Sequence, residues 1–173
     1  MNKVIITFLC LLFPTGAFAG NAIKEITGYN NIKVSFSPTA KSCDLNDTKK
    51  FTAHLAEKLA KLGIKQRNDS VVVARLDIGG ESFGLIKGHC ALGTELTFRT
   101  ILKSDNISTT NPNVRAAVNR LGAFSVDLYN IDLFAVEARV VSGGGPEKRI
   151  LVDEKVLEMI DYMANKIAEG KKG

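Results

Sequence analysis

"SVVVARLDIGG", residues 70–80, is the stretch on which the fold turns. Its opening run Val71, Val72, Val73 and Ala74 is apolar on both faces and rich in β-branched residues. That pattern predicts a central strand covered on both sides at that end. The glycine pair Gly79-Gly80 is expected to break it.

Upstream, "NNIKVSFSP" alternates Ile32, Val34 and Phe36 with Lys33 and Ser35, which reads as a half-buried strand ended by Pro38. "CDLNDTKKFTAHLAEKLAKLGI" follows. Phe51, Leu55, Leu59 and Leu62 recur at helical spacing, so they share one face. Asp44 is the expected N-cap, with Asp47 in the first turn, where negative charge suits the helix dipole. Gly63 is the expected stop, with Ile64 placed for the apolar contact of a Schellman end.

Downstream, "FGLIKGHCAL" and "TELTFRTILKS" read as two strands around a turn near Gly93-Thr94. In the second, Leu96, Phe98, Thr100 and Leu102 face one way and Thr97, Arg99 and Lys103 the other, with Ile101 the exception. Asn111-Pro112 reads as an N-cap with proline at the first helical position. Val114, Ala117, Val118 and Leu121 then form a short apolar stripe, ended by Gly122. "AFSVDLYNIDLFAVEARVV" carries two strands or one long bent strand, with Asn130 the expected turn or bulge. "DEKVLEMIDYMANKIAEG" is a long amphipathic helix whose start Pro146 could place earlier, and "KKG" is a frayed basic tail.

Consecutive strands on short links predict an α+β fold. Its sheet is mostly antiparallel, of five or six strands, with two long amphipathic helices packed on one face. This outline resembles small periplasmic assembly domains in architecture, although no motif names a family.

The chain begins MNKVIITFLCLLFPTGAFAG. Lys3, an apolar run from Val4 to Phe13 and the small residues of Ala17-Phe18-Ala19 form the three parts of a secretory signal. The run is too short to span a bilayer, which takes about 20 residues. The expectation is a signal peptide over 1–19, cleaved near Ala19, and one domain over 20–173 in the periplasm or outside the cell. No transmembrane segment is expected after cleavage.

The formal net charge is +5, with bases and acids interspersed. That describes a solvated surface, and the chain has no tryptophan and no basic stripe threaded with aromatics. Nucleic acid is therefore not an expected partner. The expected partner is another envelope or secreted protein.

Cys43 and Cys90 remain after cleavage, and one disulfide is the simplest use for them in an exported protein. It would close a loop of about 46 residues, for which chain entropy gives about 4 kcal/mol. His89 adjoins Cys90, so a thiol with its base is the competing reading. Neighbours on a strand point to opposite faces, which disfavours it.

His54 lies at the edge of the first helix's apolar stripe, with no spacing that makes it a zinc ligand. Asp77 and Glu81 flank the glycine pair. They could serve acid–base chemistry if burial split their pKa values; otherwise they are solvated acids at a turn. "SGGGP", residues 142–146, lacks the spacing of a phosphate loop. No cofactor, metal or catalytic residue is expected.

The expected function is a non-enzymatic, partner-binding or envelope-assembly accessory. The alternatives are a small-ligand-binding periplasmic protein and, less favoured, a small hydrolase.

Overall fold

The computed structural model describes residues 23–82, 90–103, 105, 110–138 and 146–172. The leader with its cleavage site near Ala19, His89 and most of "SGGGP" lie outside them.

The fold is mixed α/β. A helical turn at 23–25 leads to β1 (Gly28–Tyr29) and β2 (Asn31–Phe36). A 3₁₀ segment, Pro38–Cys43, precedes α1 (Thr48–Lys61) and the two-residue β3 (Lys65–Gln66). Then come β4 (Val72–Ser82), β5 (Cys90–Lys103), α2 (Pro112–Leu121), β6 (Ala123–Ala138) and α3 (Pro146–Lys172). Four strands form one sheet in the order β2-β4-β5-β6, and β1 pairs with β3 separately.

The sheet is mixed, which corrects the expectation of a mostly antiparallel one. β2 runs parallel to β4, from Asn31 opposite Val73 to Phe36 opposite Ile78. The cause is the crossover: between β2 and β4 the chain passes through the 3₁₀ segment and α1, and a helical crossover returns the chain in the same direction. β4, β5 and β6 pair antiparallel.

The first strand read from the sequence is central, as its valines suggested, but it is not covered on both faces. Val71, just before it, is 74% exposed. Glycine does not end β4, which runs through Gly79-Gly80 to Ser82. Nor is there a turn at Gly93-Thr94, because β5 is one strand from Cys90 to Lys103 and Gly93 pairs with Gly79. β6 is a single strand whose register slips opposite Phe98 and Arg99, leaving Leu128 as the extra residue. Asn130, the expected weak point, pairs in register with Thr97.

α1 begins one turn later than Asp44 suggested. Asp44 is left-handed at φ 60° and ends the 3₁₀ segment. Asp47 is the N-cap and accepts from the backbone N–H of Lys49 and Lys50. The end of α1 follows expectation. Gly63 takes φ 77°, its N–H bonds to the Ala60 carbonyl, and the Ile64 N–H reaches the Leu59 carbonyl. Ile64 is fully buried.

The core lies between the helices and one face of the sheet. Phe51, Leu55 and Leu59 of α1, and Val156, Ile160, Met163 and Ile167 of α3, are all 0% exposed. They belong to one cluster with Ala74, Leu76 and Ile78 of β4 and Leu96 and Phe98 of β5. Phe36 meets Phe51 edge to face at 6.1 Å. Outside the apolar contact, Lys50 and the buried Asp153 bond α1 to α3 at 3.1 Å.

α3 starts at Pro146 and remains helical through Lys172, so the two lysines read as a frayed tail belong to the helix. Lys171 donates to the carbonyls of Ile23 and Ile26, tying the end of α3 to the start of the described chain. Among the described residues, no helix is long and apolar enough to cross a membrane.

Cys43 and Cys90 form a disulfide and both are fully buried. The bond fastens the end of the 3₁₀ segment to the first residue of β5. Gly80 passes beneath it: a Cβ there would lie 3.3 Å from Cys43 Sγ, from the Ala40 Cα and from a Leu45 methyl. Close approach, rather than a chain break, is what this glycine provides.

Candidate functional site

Strand alternation gives the sheet a second face. Ala74, Leu76, Ile78 and Gly80 of β4 are buried under the helices, whereas Arg75, Asp77 and Gly79 point the other way and are half-buried. The β4–β5 register places Arg75 opposite Thr97, Asp77 opposite Glu95, and Gly79 opposite Gly93. On the outer side, Ser35 of β2 lies opposite Asp77, and Asp132 of β6 lies opposite Glu95.

A single row across the sheet thus reads Ser35, Asp77, Glu95, Asp132. Like charges directly opposite one another destabilise a sheet unless other groups offset them. Here they do. Arg75 grips Asp77 in a two-pronged pair at 2.5 and 3.0 Å, and the Ser35 hydroxyl donates to the same carboxylate. Glu95 accepts from the Thr97 hydroxyl at 3.2 Å and the Asn130 amide at 3.0 Å. One pleat further on, Arg99 grips Asp127 across β5 and β6 at 2.5 and 3.2 Å.

Partial burial on its own would push the Asp77 carboxyl up. The Arg75 guanidinium and the Ser35 hydroxyl outweigh it and hold Asp77 below the ordinary aspartate value. The Asp127 carboxyl is also lowered, chiefly by its hydrogen bonds from Arg99. Both aspartates are therefore ionised, paired acids.

Beside this row the sheet is indented. Gly79 and Gly93 stand side by side with no side chains, and a groove of about 470 Å³ opens over them. Asp77, Glu95, Asp132 and Arg75 border it. A Cβ at Gly79 would meet nothing nearer than the Gly93 carbonyl at 3.7 Å, so the indentation is open space rather than close packing. The groove can accept an extended segment or a small polar molecule and offers it both signs of charge.

Of the candidate site residues singled out from the sequence and described in the structure, Asp77 alone borders this groove. Glu81 lies on the same face of β4 but is exposed four residues away, about 13 Å at strand rise. That exceeds the spacing of paired glycosidase carboxylates, roughly 5–9.5 Å. His54 sits elsewhere, between the helices. Its Nε2 is 2.6 Å from Asp161 Oδ1, and Lys58 approaches the same oxygen at 2.8 Å. Partial burial would raise the Asp161 carboxyl, but Lys58 and His54 lower it overall. The arrangement is a charged clasp between α1 and α3. Among the described residues, no three His, Cys, Asp or Glu side chains are grouped to hold a metal.

Sequence reasoning missed Arg75, Glu95 and Asp132. The signal for Arg75 was present: charges at positions 75 and 77 alternate with apolar residues at 74, 76 and 78. Glu95 and Asp132 carry no such signal, because their place depends on register across three strands.

No protein-family model matches the chain, and no curated protein sequence matches it. The solved structures similar at low identity include the following two. One is a minor lipoprotein from Acinetobacter baumannii, at 12% identity and TM-score 0.30, covering 82% of this chain and 91% of that one. The other is described as a neuraminyllactose-binding hemagglutinin homolog from Helicobacter pylori, at 14% identity and TM-score 0.32, covering 86% and 89%. Similarity at this level assigns neither a family nor an activity.

Proposed function

We propose that the chain is an exported protein that works by binding another envelope or secreted protein, as an assembly accessory rather than as an enzyme. The observation that carries this is the sheet face that no described helix covers. Among the described residues α1 and α3 pack on one side of the sheet, and the other side presents the Arg75–Asp77 pair with Glu95 and Asp132 around the Gly79–Gly93 groove. The outer edge of β6 has no strand partner among the described residues, so a partner's strand could extend the sheet there. The signal-like N-terminus supports export, to the periplasm or beyond.

A small polar ligand is the second reading. The groove's volume falls within the roughly 300–1,000 Å³ of small-molecule sites. Its position on an open strand face favours an extended protein segment over a molecule needing enclosure.

Capture from an envelope extract separates the readings. The processed protein is expected to retain a protein partner, and Gly79→Phe is expected to lose it while leaving the circular-dichroism spectrum unchanged. A folded Gly79→Phe protein that captures the same partner equally well would remove the groove from the account. Hydrolase turnover by the wild-type protein would overturn the non-enzymatic reading.

A further inference from the structure

Four of the exposed large apolar residues belong to one end of the sheet and its connection: Val71 (74%) precedes β4, Ile101 (61%) lies where β5 runs past it, and Val114 (46%) and Leu121 (63%) are on the helix that follows β5. β5 outlasts β4 there. Val72, the first residue of β4, pairs with Thr100, and Ile101 to Lys103 continue with β6 alone. α2 fills the connection between those two strands. It is well formed: the Asn111 side chain accepts from the N–H groups of Asn113 and Val114, Pro112 starts the helix, and Gly122 at φ 66° ends it. Yet none of its residues is buried. Its stripe of Val114, Ala117, Val118 and Leu121 has an amphipathic pattern and is exposed except at the half-buried Val118.

The charge around the stripe says what covers it. α2 contains Arg115 and Arg120 and no acid. From residue 103 to 122 the only acid is Asp105, against Lys103 and the two arginines. Of the nearby acids, Asp127 of β6 is paired with Arg99 and Asp69, in the turn before β4, with Arg67, while Glu25 shares a hollow with Val71.

Size points the same way. A ten-residue helix is about 15 Å long. Its face is far smaller than the roughly 800 Å² per partner of a stable protein interface. A lipid surface needs no matching shape; it needs an apolar stripe to enter the headgroup boundary and bases to meet phosphates. We propose that α2 docks the protein on an anionic phospholipid surface, with Val71 and Ile101 adding exposed apolar surface at the same end of the sheet. This contact is independent of the groove over Gly79 and lies at a different part of the sheet.

The contact is small, so binding is reversible and salt-sensitive. The test is flotation of the processed protein with phosphatidylglycerol-containing vesicles and with phosphatidylcholine vesicles. Wild type is expected to float with the first, to do so far less with the second, and to be released by high salt. Arg115→Gln and Arg120→Gln are each expected to weaken binding about fivefold, the usual worth of one base near an anionic membrane. Leu121→Asp is expected to abolish it, with an unchanged unfolding midpoint showing that the fold survives. Failure of wild type to float would overturn the proposal, as would flotation indifferent to these substitutions. A concentration-dependent dimer dissolved by Leu121→Asp, without vesicle binding, would give the face to a second copy and overturn it equally.

Discussion

α1 and α2 look alike as sequences and differ completely as surfaces. Each has an Asx cap, an apolar stripe at helical spacing, and a positive-φ glycine at its end. In α1 the stripe of Phe51, Leu55 and Leu59 is sealed against β2 and α3. In α2 the stripe faces outward. The difference teaches that amphipathic periodicity reports a face that wants covering and is silent on what covers it. The size of the residues carries more information: α1 uses Phe and Leu, whereas α2 uses two valines, an alanine and one leucine.

The comparison predicts its own extremes. Phe51→Ala removes a ring buried in the core and is expected to cost about 3–5 kcal/mol in urea unfolding. Leu121→Ala is expected to stay within about 0.5 kcal/mol of wild type. A large loss at Leu121 would mean that α2 is packed in solution, and would break the contrast. Replacing both Cys43 and Cys90 by alanine tests the other fixture of the covered face. The expected cost is about 4 kcal/mol from the loop the bond closes.

The caps sharpen the contrast at smaller scale. Asp47→Ala is expected to lower the global unfolding free energy by about 1 kcal/mol, because α1 is part of the core. Asn111→Ala removes an equivalent cap, but its effect should be local. Faster hydrogen exchange in α2 with an unchanged global midpoint is the expected pair of results.

The smallest effect concerns the open sheet face. Asp77 has a folded pKa below its unfolded value, so its contribution is fully present above the unfolded pKa, near pH 4. It is lost as pH falls through the lower folded value. Asp77→Asn is expected to flatten the acid limb of the stability profile by less than about 1 kcal/mol, since the pair with Arg75 is partly solvated. An unchanged acid limb would show that the pairing seen here carries no stability.

These elements also show what the sequence could and could not disclose. α1, β2 and the Asn111-Pro112 start of α2 were legible because their signals are local: periodicity, alternation and capping chemistry. The buried Cys43–Cys90 bond followed from the cysteine count read with the expectation of export. The glycines misled. Gly79-Gly80 and Gly93 read as breaks, yet β4 and β5 pass through them, because one glycine admits the disulfide region and two others open a groove. Asp44 and Asp47 were both eligible caps, and the 3₁₀ segment decided between them by ending at Asp44. The parallel β2–β4 pair and the Asp77–Glu95–Asp132 row were not legible at all. Both depend on crossover and register, which link residues tens of positions apart.

The central claim is the proposal that the sheet face turned away from the described helices serves binding and contributes little to stability. It is tested most directly by measuring partner affinity and unfolding midpoint on one preparation of Gly79→Phe. The account predicts an unfolding free energy within about 0.5 kcal/mol of wild type and an affinity at least about tenfold weaker, a loss expected when a central contact is blocked. Unchanged affinity in a folded protein would contradict it.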